Sequence, residues 1–254
     1  MSGHKTIVGI LLLCAVAVLA FAAPSALATG TTAFTCAEGG GEKDFTDAHC
    51  TSSTKAGEGK FGHIAIANGT PTELTLSNEK TGGETTSALP SVLAGKISGV
   101  NVKVECKKIT GTGTLTNEEV GGTMRTTGNT LMEHSECSVV EPATCSVKTP
   151  IVYDSKFTTY QAEAKMGLEF TPRVGTQFGT FTLMNNGAET CAIKGTIGIS
   201  GSFEGTPGGT PMGGGATLVL NANAGKLTWG SNTYTLDATI TARMKGGNPI
   251  DFTT

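Results

Sequence analysis

The chain has 254 residues, with 18 basic against 21 acidic side chains and a formal net charge of −3. That balance excludes binding to nucleic acid through a basic stripe, since phosphate contacts need clustered Lys and Arg to release counterions. With 42 threonines and 36 glycines but a single tryptophan, the composition favours short strands and tight turns over helices. Threonine is β-branched and suits a half-exposed pleat, and glycine marks turns and bulges.

Residues 1–28 read as a secretory signal peptide. His4 and Lys5 give a positive start, residues 7–23 form an uncharged apolar run, and Ala26-Leu27-Ala28 is a small-x-small cleavage site. Pro24 and Ser25 break the run and no stop-transfer charges follow, so no transmembrane anchor is expected in the mature chain. Leu13 before Cys14 is a poor lipoprotein site. Cleavage after Ala28 would leave six cysteines: Cys36, Cys50, Cys106, Cys137, Cys145 and Cys191. An even count in an exported chain implies disulfides. Cys36 and Cys50 close a short loop and form the expected first bridge. Among the other four, Cys137 with Cys145 across Glu141-Pro142, and Cys106 with Cys191, is the favoured arrangement of three. No C-x-x-C pair supports zinc.

Residues 29–60 hold few apolar side chains and read as a disulfide-closed loop resting on the main body through Phe34 and Phe45. Glu42, Asp44 and Asp47, with His49 beside them, form a weak calcium candidate, because clustered carboxylate oxygens suit Ca²⁺ although the spacing is not that of an EF-hand. The run Phe34-Thr35-Cys36-Ala37-Glu38-Gly39-Gly40-Gly41, followed by Asp44-Phe45 and Asp47-Ala48-His49-Cys50, resembles a motif in secreted actinobacterial β-rich proteins of unknown function. Val104-Glu105-Cys106 and Cys191-Ala192-Ile193-Lys194-Gly195-Thr196 resemble them too. The resemblance implies export and a β fold, and brings no activity, substrate or catalytic residue.

Residues 61–254 read as a β-sandwich body, with a candidate subdivision near 150–175. Residues 60–67 and 72–78 predict a hairpin around Asn68-Gly69-Thr70-Pro71, with Ile64 and Ile66 on one face and Leu74 and Leu76 on the other strand's equivalent face. Residues 77–91 read as a loop. Residues 100–106 alternate without fault, three valines and Cys106 inward. Short strands follow at 113–116, 124–127 and 130–134, with Gly121-Gly122 and Gly128-Asn129 as turns. Pro142 and Pro150 bracket an edge strand at 144–148, and 151–153 and 165–170 read as strands. Residues 158–167 fit a short helix equally well. The apolar phase slips between Phe178 and Phe181, which a β-bulge at Gly179 would repair. Cys191, Ile193, Ile197, Ile199 and Phe203 continue the sheet. Residues 206–215 are an exposed Gly-rich loop, strands at Leu218/Leu220 and Leu227/Trp229 follow, and Tyr234 to Met244 keep one phase long enough to cross a whole sheet.

The expected fold is all-β: an antiparallel β-sandwich of one large or two small packed domains, stapled by disulfides. No motif marks a catalytic residue or a cofactor. Gly198-Ile199-Ser200-Gly201-Ser202 lacks the final glycine of a nucleophile elbow. Glu105, Glu163, Glu169 and Asp237 suit glycosidase chemistry by type alone, and His49, His63 and His134 lack metal-ligand spacing. The expected function is a non-enzymatic secreted or cell-surface protein, structural or binding an unknown protein or cell-wall glycan. A glycan-acting hydrolase or a carbohydrate-binding module is the alternative.

Overall fold

A computed structural model describes residues 30–41, 43–48, 50, 52–78, 89–162, 165–208, 217–221 and 226–253. The expected leader lies outside the described residues. Among them every regular element is a strand, every strand pair is antiparallel, and no helix is long and apolar enough to cross a membrane.

The chain begins with β1 (Thr32–Glu38), β2 (Phe61–Ala65), β3 (Thr72–Ser77) and β4 (Ser91–Ile97), then enters a long hairpin of β5 (Val100–Val120) and β6 (Thr123–Glu141). β7 (Cys145–Val147), β8 (Ile151–Ala162), β9 (Lys165–Pro172), β10 (Gln177–Asn185), β11 (Gly195–Gly201) and β12 (Phe203–Gly208) follow. β13 (Thr217–Asn221), β14 (Leu227–Trp229), β15 (Asn232–Met244) and β16 (Ile250–Thr253) complete it.

β15 organises the body. Tyr234, Leu236, Ala238, Ile240 and Ala242 alternate into the core and are all buried, as a strand with one wet face requires. Its length lets each edge serve two partners: β14 then β13 on one side, β4 then β3 on the other. Neighbours run β13-β12-β9-β8-β6-β5-β3-β15, and because β13 pairs both β12 and β15 these eight strands close into a ring. From the start of β15 a second leaf, β14-β11-β10-β7, faces the ring's wall across the core. The body is therefore an antiparallel sandwich at one end whose layers join into a closed barrel at the other.

Aromatic rings fill the interior. Phe170 stacks on Phe203 at 4.7 Å and Trp229 on Tyr234 at 4.4 Å, while Tyr153 and Phe178 approach to 5.9 Å between the layers. Large rings need small neighbours: a Cβ on Gly128 would lie 2.6 Å from the Phe157 ring and 2.0 Å from the Thr114 carbonyl oxygen. A three-stranded sheet, β16-β1-β2, plugs the barrel's end with Ile250 and Phe252. Buried Asn117 ties it down. Its Oδ1 accepts from Ala33 N at 2.9 Å and Thr126 Oγ1 at 2.8 Å, and its Nδ2 donates to Ala33 O at 2.9 Å and Ile66 O at 2.7 Å. The Thr31 and Thr159 hydroxyls bond beside it.

Three disulfides brace the fold. Cys36–Cys50 is the expected bridge, with Cα atoms 5.8 Å apart. The other two correct the favoured arrangement: Cys106 bonds Cys137, and Cys145 bonds Cys191. Cys106 and Cys137 are direct cross-strand partners because β5 and β6 form one hairpin about Gly121-Gly122. Cys145 on edge strand β7 then pins the segment after β10, the strand β7 pairs with.

Other expectations change for the same reason, that pairing is non-local. Residues 60–67 and 72–78 make no hairpin: β2 pairs β1, whereas β3 pairs β5 and β15. Ile66 is buried but Ile64 faces out. Gly128-Asn129 is not a turn but the middle of β6. β8 and β9 pair up to Ala162 and Lys165, which removes the helix option at 158–167. Thr32–Glu38 is a strand within the expected N-terminal loop, and Thr206 to Gly208 extend β12, the rest of the Gly-rich segment to 215 lying outside the described residues. The bulge is present: register shifts between Gln177 and Gly179, and Phe178, Phe181 and Leu183 are all buried.

Candidate functional site

Of the expected calcium set, Asp44 Oδ1 accepts from Gly57 N at 3.1 Å and Asp47 Oδ2 from Ser52 N at 2.6 Å, so both carboxylates hold their own loop's backbone. Glu42 and His49 lie outside the described residues. His63 packs between the rings of Phe34 and Phe45, at 4.7 and 4.8 Å. Burial lowers its pKa, against the attraction of Asp251 and Asp44. Among the described residues no three His, Cys, Asp or Glu side chains are placed to hold a metal ion.

His134 sits on β6, in the other sheet, and is wholly buried. Its Nδ1 lies 2.8 Å from Ser91 Oγ at the start of β4, a nucleophile-to-base distance that sequence reading missed. Chemistry at this pair is blocked on two counts: both side chains have no exposed surface, and burial lowers the imidazole pKa to about 4, leaving a weak base at neutral pH. The bond joins β4 to β6 across β5.

The candidate carboxylates are dispersed. Glu105 is ion-paired to Lys103 at 2.7 Å. Glu105 and Asp237 both pair with Val92 and flank β4 on one face, roughly 10 Å apart at two strand spacings. Glu163 lies outside the described residues. Ser200 is an ordinary strand residue of β11, opposite Thr228 and Gln177.

Glu169 has company on the barrel's outer wall. It lies directly opposite Glu204 across the β9–β12 ladder, and the like charges are relieved by Lys226, whose Nζ is 2.7 Å from Glu204 Oε1. Hydrogen bonding to Lys226 lowers the Glu204 pKa and raises that of Lys226. A glycosidase needs one carboxyl held protonated as the acid, and Glu204 is moved the opposite way. Glu204 also acts on Tyr160: burial, then the Glu204 charge, raises the phenol pKa.

Tyr160 on β8 faces outward over Gly167, its cross-strand partner on β9. A Cβ on Gly167 would lie 2.4 Å from Tyr160 Cζ, so the ring occupies the place of the missing side chain. Beside it runs a groove of 370 Å³, walled by Gly30 and Thr31 of the N-terminal segment and lined by Thr123, Arg125, Gln161 and Glu169. A second outer groove, of 440 Å³, lies between the ion pairs Glu73–Lys245 and Asp154–Arg173 over a floor of Thr75, Thr112 and Thr114. Its lining carries no aromatic ring. Among the described residues, the space inside the barrel between Leu115, Phe157, Phe170, Ile240 and Phe252 is about 10 Å³, being filled by side chains.

No family model matches the chain, and no curated protein or solved structure matches it. Fold and site together define a class: an all-β, disulfide-braced body with a closed core and polar grooves on its outer wall.

Proposed function

We propose that this is an exported protein, non-enzymatic, that acts at the cell surface or beyond it by binding a partner on the outer wall of its barrel. One observation carries the reading: all six cysteines downstream of residue 28 are joined in three disulfides, the state that an oxidising compartment maintains and a reducing cytosol does not. The leader-like residues 1–28 agree with it, as does the resemblance to secreted actinobacterial β-rich proteins. The described outer-wall carboxylates are ion-paired or solvated, which fits recognition better than proton transfer.

The test is expression of the full chain in a secreting bacterial host, followed by mass spectrometry of medium, envelope and cytosol without reduction. A product starting at Thr29, in medium or envelope and lighter than its reduced form by six hydrogens, is expected. A cytosolic product with Met1 and free thiols overturns the reading.

A further inference from the structure

We propose that the groove beside Tyr160 is a saccharide site, which takes a neutral hexopyranose unit of a glycan against the open side of the tyrosine ring. This rests on the reading of an exported binding protein and names the ligand class of its outer wall.

Three features of the geometry point there. The first is a fixed aromatic platform. Among the described residues Tyr160 is the one well-exposed aromatic side chain, with 37% of its surface open to solvent. One side of its ring rests over Gly167, which is buried as a result although it faces outward on β9. Glu204 stands near enough for its charge to raise the phenol pKa, and is itself held by Lys226 at 2.7 Å. A ring resting against the Gly167 backbone loses little freedom on binding, so little of its contact area is offset by ordering cost. The C–H face of a pyranose suits such a surface, since polarised C–H bonds meet the electron-rich face of the ring.

The second feature is the lining. Arg125 and Gln161 donate, Glu169 accepts, and the hydroxyls of Thr123 and Thr158 do either. Adjacent sugar hydroxyls act as donor and acceptor at once and match such a mixed set. The third is charge and size. Arg125 and Glu169 offset each other, as Lys226 and Glu204 do, so the groove favours no net charge and disfavours a phosphate or an acidic peptide. Its 370 Å³ is at the lower end of ligand sites, about 300–1,000 Å³, and suits one or two sugar rings. A peptide adding as a strand would need a free sheet edge. Beside the groove β8 is paired to β9, its ladder to β6 ending at Thr158, and the β6 edge there is taken by the N-terminal segment, Thr31 N donating to Met124 O at 3.0 Å.

The experiment is calorimetric titration of the disulfide-intact protein with maltohexaose, cellohexaose and N-acetylchitohexaose. At least one is expected to bind with a millimolar or lower Kd. Tyr160→Ala should weaken that binding at least tenfold, and Tyr160→Phe, which keeps the ring face, should weaken it less. Should Tyr160→Ala misfold by circular dichroism, Arg125→Ala is the deciding variant, again with at least a fivefold loss. Failure of all three sugars to bind overturns the proposal. So does sugar binding indifferent to both positions. Neither failure touches the export reading, which is decided separately by where the wild-type chain is found and by its thiol state.

Discussion

Burial of His134 should make this protein lose stability as pH falls, with His63, whose pKa burial also lowers, adding in the same direction. The folded-state pKa of His134 is about 4 against 6.5 for the free imidazole. Between those values the unfolded chain binds a proton that the folded chain does not, so stability is full above pH 6.5 and declines as pH drops toward 4. At 1.36 kcal/mol per pKa unit, the loss is about 2 kcal/mol between pH 7 and pH 5 and about 3 kcal/mol by pH 4. Urea unfolding under non-reducing conditions measures it, with His134→Asn as the comparison. The asparagine amide stands near the imidazole Nδ1 and keeps a partner for Ser91 Oγ without a group that titrates. The cavity it leaves lowers stability at every pH, but the slope between pH 5 and 7 should flatten. Glu204, the outer-wall carboxyl lowered by Lys226, contributes mainly below its ordinary value of 4.5, outside that interval. Parallel slopes for wild type and His134→Asn would refute the assignment of this window to His134.

Further changes probe the frame. Replacing Cys145 and Cys191 together by Ser opens a separation of 46 residues and should cost about 4 kcal/mol, against about 3 kcal/mol for Cys36 and Cys50 with a separation of 14; urea midpoints should fall in that order. Asn117→Ala removes four hydrogen bonds at the barrel's plug and should cost about 3 kcal/mol, with amide exchange rising first in β1, β2 and β16. Gly128→Ala drives a methyl into the Thr114 carbonyl and the Phe157 ring and should cost about 3 kcal/mol or more. Gly121→Ala, at a positive-φ turn with open space around it, should cost about 1 kcal/mol; thermal midpoints that rank the two glycines the other way would contradict the packing described.

Much of the local structure was legible. The phase of Tyr234 to Ala242 predicted β15, the slipped phase at Phe178 predicted the bulge, and the short loop predicted Cys36–Cys50. A signal for Cys106–Cys137 was present but unused: the two cysteines stand the same number of residues either side of Gly121-Gly122, so a single hairpin about that turn makes them partners. Gly128-Asn129 hid it, because a glycine that makes room for Phe157 looks in sequence like a glycine that turns the chain. The outer groove was scarcely legible. Glu169 was a candidate by type, but Tyr160, Arg125, Gln161, Glu204 and Lys226 drew no notice, since they come together only through the pairing of β6, β8, β9 and β12.

Alternation of side chains is a property of each strand by itself, so composition and period alone determined that this chain makes a pleated, antiparallel, disulfide-joined body, and which face of its best strands turns inward. Which strand lies beside which is chosen by closing long loops for the sake of a shared core. Only the tertiary structure therefore decided that β13 closes the barrel by pairing both β12 and β15, that Asn117 secures its plug, that Cys106 meets Cys137, and that a tyrosine and a glycine seven residues apart form one surface on the outer wall.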